Sequence, residues 1–184
     1  MEVIIILIVV GVTALIYYNK IVRGHNRAQR AWSDVLVYER QKAKVLDALE
    51  VQASSFKEYE SDVLQKVVAL RSAIGRLPQD ANGEALKDVE SQTRGLIGGV
   101  NIAFEAYPDL KAAGIVNNLM REIVEQQENV GAAVTIFNGS VEAFNNLVQM
   151  FPGSLVNRWI NKKAVITPFS DAVASAGFDY KPNF

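Results

Sequence analysis

The sequence has no cysteine and a single histidine, His25. Without thiols there is no disulfide, no thiolate metal ligand and no sulfur nucleophile, and one imidazole cannot build a histidine-rich metal centre. The missing disulfides leave the compartment open, because a helical domain of this size needs no covalent staples on either side of a membrane. An excess of one charge is missing too. Nineteen Lys and Arg against twenty Asp and Glu leave a net charge of −1, so the chain as a whole attracts neither nucleic acid nor anionic lipid. Strand-like alternation of apolar and polar residues is absent, as is any internal repeat. Proline is absent from the first 77 residues; the five are Pro78, Pro108, Pro152, Pro168 and Pro182. Proline is expelled from helix interiors, so the gaps between them are candidate helices.

What is present begins with an apolar run. Val3 to Tyr18 reads VIIILIVVGVTALIYY, sixteen residues without a charge, eleven of them Ile, Leu or Val. Those eleven alone contribute about −3 to −7 kcal/mol to insertion. Continued to Val22, the helix is ~30 Å long and matches a bilayer core. A cleaved signal peptide would need a basic start and small residues at a cleavage site, whereas this run opens Met-Glu and ends Tyr-Tyr-Asn-Lys. The reading is an uncleaved anchor over 1–22, with Tyr17 and Tyr18 in the interfacial aromatic belt. Lys20, Arg23, Arg27 and Arg30 follow it closely. The positive-inside rule therefore puts the N-terminus outside and the domain in the cytoplasm.

Beyond the anchor, apolar residues recur in steps of three and four. Ala28, Ala31, Trp32, Val35, Leu36, Val45, Leu46 and Leu49 make a first stripe that continues the anchor. Phe56, Tyr59, Val63, Val67, Leu70, Ile74 and Leu77 make a second, opened by a Ser55–Glu58 capping box. The dense turn signal GRLPQDANG at 75–83 precedes a third stripe through Leu86, Val89, Thr93, Leu96, Val100, Phe104 and Tyr107. Tyr107-Pro108 ends it. A fourth helix, counted from Asp109 to Phe151, carries Leu119, Ile123, Val130, Phe137, Val141, Phe144 and Val148, and Phe151-Pro152-Gly153 stops it. The fold expected is all-α: an N-terminal transmembrane helix followed by an antiparallel four-helix bundle with long helices over 23–152. Residues 153–184 are read as a short membrane-proximal segment and an irregular tail.

Few side chains suggest chemistry. Gly95, Gly98 and Gly99 lack the preceding strand that a phosphate loop needs, and are read instead as places where a neighbouring helix approaches closely. Glu60 and Arg71 fall on the edge of the second stripe and are expected to reach across to other helices. No paired carboxylates or nucleophile–base set surrounds them. His25 is read as a solvated histidine among arginines. Trp159 with Arg158, Lys162 and Lys163 has the form of an interfacial segment, a ring for the headgroup level and cations for phosphate, set against a Trp packed on the bundle end.

The chain resembles the LemA family over nearly its whole length. The resemblance rests on the anchor running into YYNKIV and Trp32, on FKEYESDVLQKVVALR at 56–71, on YPDLKA at 107–112, on FNG at 137–139, on EAFN at 142–145 and on Phe151-Pro152. It departs from the family at QKAKVLDAL, 41–49, where an Arg-Arg-x-Asp-Leu-Ile-Pro-Asn-Leu stretch is usual. Phe137 and Phe144 also stand where the family has tyrosines, and Val134 where it tends to have arginine. The resemblance implies a helical-bundle membrane protein without established enzymatic activity. Some relatives are lipoproteins with the domain outside the cytoplasm, which keeps a periplasmic domain as the alternative.

The function expected is therefore non-enzymatic, with no cofactor and no metal: a self-associating scaffold or membrane-organising protein of the bacterial inner membrane. Its partners are the bilayer, further copies of itself and an unidentified membrane protein, and not nucleic acid. The residues expected to mediate this are Tyr17, Tyr18, Arg23, Trp32, Gly95, Gly98, Gly99, Arg158, Trp159, Lys162 and Lys163. The rival expectations are an accessory subunit of a membrane protease or transporter, and a receptor with a ligand between its helices.

Overall fold

The computed structural model describes residues 1–54, 61–106 and 114–170, with the side chains of 1–51, 63–102 and 114–170. The expected Ser55–Glu58 capping box, Phe56, Tyr59, Glu60, Tyr107-Pro108 and the side chain of Phe104 lie outside these residues, as does 171–184. Every regular element described is helical.

Helix α1 runs without a break from Glu2 to Ser54, 53 residues and ~80 Å at 1.5 Å each. Nothing in that stretch stops a helix, so the apolar run passes directly into the first stripe. Its surroundings change along the way. Val3 to Val10 are exposed on every face, whereas from Ile21 onward one face is buried through Ala28, Trp32, Val35, Leu46 and Leu49.

The face that α1 buries is covered mainly by α4, Gly114–Gln149. His25 meets Phe144 edge-on at 5.5 Å between ring centroids, Trp32 meets Phe137 at 5.2 Å, and Lys42 meets Gln127. The α4 partners fall in number as those of α1 rise. Gly24 is what lets the two helices close at one end: a Cβ there would sit 3.1 Å from Leu147 Cδ1 and 3.4 Å from Phe144 Cδ2. The fourth helix was expected from Asp109, and its described part begins at Gly114.

Helices α2, Ser61–Gly75, and α3, Leu86–Ala106, pack on each other and complete the core with Val67, Leu70, Val89 and Leu96. Burying one such aliphatic side chain stabilises by about 1.5–3 kcal/mol. Between them lies a turn whose backbone is held by α1. Trp32 Nε1 donates to Pro78 O at 2.9 Å, Gln29 Nε2 donates to Gln79 O at 2.6 Å, and Ala81 N donates to Gln29 Oε1 at 3.1 Å. Asn82 then caps a 3-10 turn, Gly83–Ala85, by accepting from Glu84 N.

After α4 a short helix α5, Gly153–Val156, continues into a π turn at Asn157–Asn161 and ends at Lys162 with φ 51°. Residues 162–170 have no regular secondary structure, but they are not loose. Residues 164–170 form an extended strap laid along α4. Asn145 donates to Ile166 O and accepts from Ile166 N, and Asn138 does the same for Phe169, all within 2.8–3.0 Å. Gly83 N donates to Thr167 O, which ties the strap to the α2–α3 turn as well.

Candidate functional site

Two features stand out from the packing: an apolar groove at the end of the molecule where α1 is uncovered, and a charged cluster in the protein interior, away from that groove.

The groove forms because α4 stops short and the chain folds back beside the apolar run of α1. Gly153 makes the reversal possible, since a Cβ there would collide with the Leu147 carbonyl and touch Tyr17. The following turns then lie against α1, with Asn161 Nδ2 within 3.5 Å of Tyr18 O. Val9, Val10, Phe151, Leu155, Trp159 and Ile160 line an open groove of about 440 Å³. Phe151 is 79% and Trp159 74% exposed. The part of α1 that forms one wall belongs to the one helix among the described residues that is long and apolar enough to cross a membrane.

The sequence-predicted residues divide around this groove. Tyr17 and Tyr18 stand at its rim, and Lys20 Nζ lies 5.1 Å above the Tyr17 ring. Arg23 is exposed further along α1. Arg158, Lys162 and Lys163 are exposed on and just after the turn that lines the groove, and Trp159 lines it largely exposed instead of packing on the bundle end. Trp32 is a correction: it is fully buried against Phe137 and bonded to Pro78, so it is a core residue and presents no surface to a partner. The glycines are a second correction. A Cβ on Gly95 or Gly98 would meet nothing within 4 Å, and only Gly99 has a close neighbour, the side chain of Lys66. Gly24, Gly83 and Gly153 are the glycines of close backbone or core approach, Gly83 because a Cβ there would collide with the strap backbone at Pro168 and Phe169. His25 is half-buried with its ring on Phe144, not freely solvated. Arg71 does reach across, its Nη1 lying 2.7 Å from both Asp47 Oδ1 and Glu50 Oε2 of α1.

The interior cluster was missed. Lys42 is 0% and Glu39 1% exposed. Lys42 Nζ donates to Glu39 Oε1 at 3.2 Å, to Thr93 Oγ1 at 3.2 Å and to Gln127 Oε1 at 2.7 Å, which uses all three ammonium donors. Gln127 Nε2 passes the chain on to Glu90 Oε2 at 2.6 Å. Glu39 Oε2 lies 3.0 Å from Nζ without an aligned hydrogen bond of its own. Burial pushes the Glu39 carboxyl above its ordinary range; Lys42 pulls it back through its charge and hydrogen bond, and Glu90 adds a smaller upward push. The signal was in the stripes. The first breaks between Leu36 and Val45, where Glu39 and Lys42 keep its period, and the fourth breaks between Ile123 and Val130, where Gln127 does. Two gaps in facing stripes mark one buried polar layer.

This layer is closed on itself. Among the described residues no group of three or more His, Asp or Glu is placed to hold a metal ion.

Residues 31–172 match the LemA family model. The chain is also similar to Protein LemA of Metamycoplasma hominis, 26% identical over 148 residues that cover 79% of this chain and 67% of that protein. The matched span takes in the charged layer, the strap and the groove wall contributed by 151–160.

Proposed function

This chain belongs to the LemA family, and from that premise we propose that it is a non-enzymatic, membrane-anchored scaffold that self-associates through its helical domain. The observation that carries this reading is the continuity of α1. The exposed apolar run and the buried core stripe lie on one unbroken helix of 53 residues, so the membrane span and the domain move as one body.

In this reading residues 1–22 cross the bacterial inner membrane, with Lys20, Arg23, Arg27 and Arg30 on the cytoplasmic side. The helices form an antiparallel four-helix bundle in which α1 and α3 leave the membrane and α2 and α4 return. The falling α4 partners of α1, from Phe144 to Phe137 to Gln127, support that direction. Self-association is favoured by anchors that confine copies to two dimensions and raise their effective concentration. Val37 and Ile136, both exposed, flank a shallow groove between α1 and α4 of about 210 Å³ that suits a second copy. Extraction of the full chain with its native lipids, followed by mass measurement, tests the reading. Masses at multiples of 20.3 kDa support a homo-oligomer, and a clean single-chain mass overturns self-association. Extra mass from another membrane protein supports the accessory-subunit alternative.

The receptor alternative meets one specific observation, the buried polar layer. Its ammonium donors are all taken by Glu39, Thr93 and Gln127, so the layer offers a ligand no free donor at Lys42.

A further inference from the structure

We propose that residues 150–160 form a second membrane element, a wedge that enters one leaflet of the bilayer beside the anchor and is covered there by lipid acyl chains. The proposal rests on the reading of α1 as a membrane span and goes beyond it.

Placement is the first argument. The wedge does not merely lie near the anchor; it shares a groove with it. Phe151, Leu155, Trp159 and Ile160 face Val9 and Val10 across that groove. If Val9 and Val10 lie in hydrocarbon, so do the residues beside them.

Depth is the second. Asn161 reaches the level of Tyr18, and the groove extends to the level of Val9. Nine residues of helix separate these levels, about 13 Å at 1.5 Å each. Half of a ~30 Å hydrocarbon core is about 15 Å. The wedge is therefore as deep as one leaflet and no deeper.

Polarity is the third. Met150 exposes 63% of its surface and Ile160 54%, beside the more exposed Phe151 and Trp159. The cations lie at the Tyr17–Tyr18 level, where the segment enters beside Gly153 and leaves at Asn161. Lys162 and Lys163 follow Asn161 at the Tyr18 level, and Lys20 is one turn from Tyr17, where phosphate headgroups would meet them. Arg158, on the turn itself, has a stem long enough to bring its charge back to that level.

Backbone chemistry is the fourth. Unpaired amides are costly in lipid, and the reversal leaves few. Met150 N donates to Asn146 O, Ser154 N to Met150 O and Lys162 N to Asn157 O, at 3.0, 2.8 and 2.7 Å. Asn157 then closes the end by accepting from Lys163 N and donating to Lys163 O.

The absence of cysteine makes the test free of background labelling. Full-length Leu155→Cys, Ile160→Cys, Leu7→Cys and Lys44→Cys variants are spin-labelled and reconstituted into vesicles of neutral and anionic phospholipid. Collision with oxygen is compared with collision with a water-soluble nickel chelate. The proposal expects labels at 155 and 160 to be oxygen-accessible and chelate-protected, like 7, while 44 behaves as in water. If 7 is lipid-like and 155 and 160 are water-like, the wedge is overturned and the anchor stands. If 155 and 160 are shielded from both reagents, protein covers them, and the lipid assignment is overturned. If 7 itself is water-like, the anchor fails, and the wedge with it.

Discussion

Asn138 and Asn145 stand seven residues apart on α4 and grip backbone positions three residues apart on the strap, Phe169 and Ile166. The spacings match: seven residues of helix advance about 10.5 Å, and three of extended chain about 10 Å. Each side-chain amide gives one hydrogen bond and takes one, so the strap has a partner ladder without a strand. Gln29 and Asn157 do the same for the 79–81 turn and for Lys163.

Asn145→Ala therefore removes two hydrogen bonds at once and leaves Ile166 N–H and C=O unpaired. The expected loss is about 1–3 kcal/mol, with amide exchange accelerated at Ile166 and Phe169 ahead of the helical core. Unchanged protection at both amides would show that the strap is held by its apolar contacts alone.

Much of this was legible in the sequence. The stripes predicted the faces that α1, α3 and α4 bury, because 3.6-residue periodicity follows directly from what a helix must cover. The FNG and EAFN motifs marked Asn138 and Asn145 but not their role, since an extended segment without periodicity carries no sign of its partner. Trp32 was ambiguous because its ring suits both an interface and a core; only the Pro78 carbonyl and the Phe137 ring decide for the core. The glycines misled for a related reason. A missing Cβ is useful only where another chain segment passes, and that is at Gly24 against α4, at Gly83 against the strap at Pro168–Phe169 and at Gly153 against Leu147 and Tyr17.

The buried layer predicts a non-additive pair. Lys42→Met leaves the Glu39 carboxylate buried without its cation, and the expected cost is about 3–5 kcal/mol in urea unfolding. Glu39→Leu combined with Lys42→Met removes both charges and is expected to recover most of that loss. A double-variant cost equal to the sum of those of Lys42→Met and Glu39→Leu measured singly would mean that the pair is not coupled.

The same layer predicts a pH dependence. Glu39 holds its proton more tightly when folded, because burial disfavours the carboxylate. That stabilisation is fully present below the ordinary glutamate value of about 4.3 and is lost as pH rises through the raised one. Relative to Glu39→Gln, the wild-type chain should therefore lose stability as pH rises from 4.5 towards 7, measured as the difference in unfolding free energy. A constant or growing difference contradicts the assignment.

Glycine substitutions should split in sign. Gly95→Ala and Gly98→Ala, in an exposed helix interior with open space around them, are expected to stabilise by about 0.5–1 kcal/mol each. Gly153→Ala should destabilise, since its methyl would collide with the Leu147 carbonyl. Thermal melts of the three variants read the signs directly, and a shared sign would contradict the packing.

In the proposed function the apolar span and the domain share one stiff helix. Nitroxides at Leu7 and Lys44, both exposed on α1, are 37 residues apart, about 55 Å along an unbroken helix. Pulsed dipolar spectroscopy on the doubly labelled full-length chain in lipid, diluted with unlabelled chain to suppress contacts between copies, reads that distance. A single narrow distribution near about 55 Å is expected; a broad distribution, or one centred well below it, would contradict the continuity on which the proposed function rests.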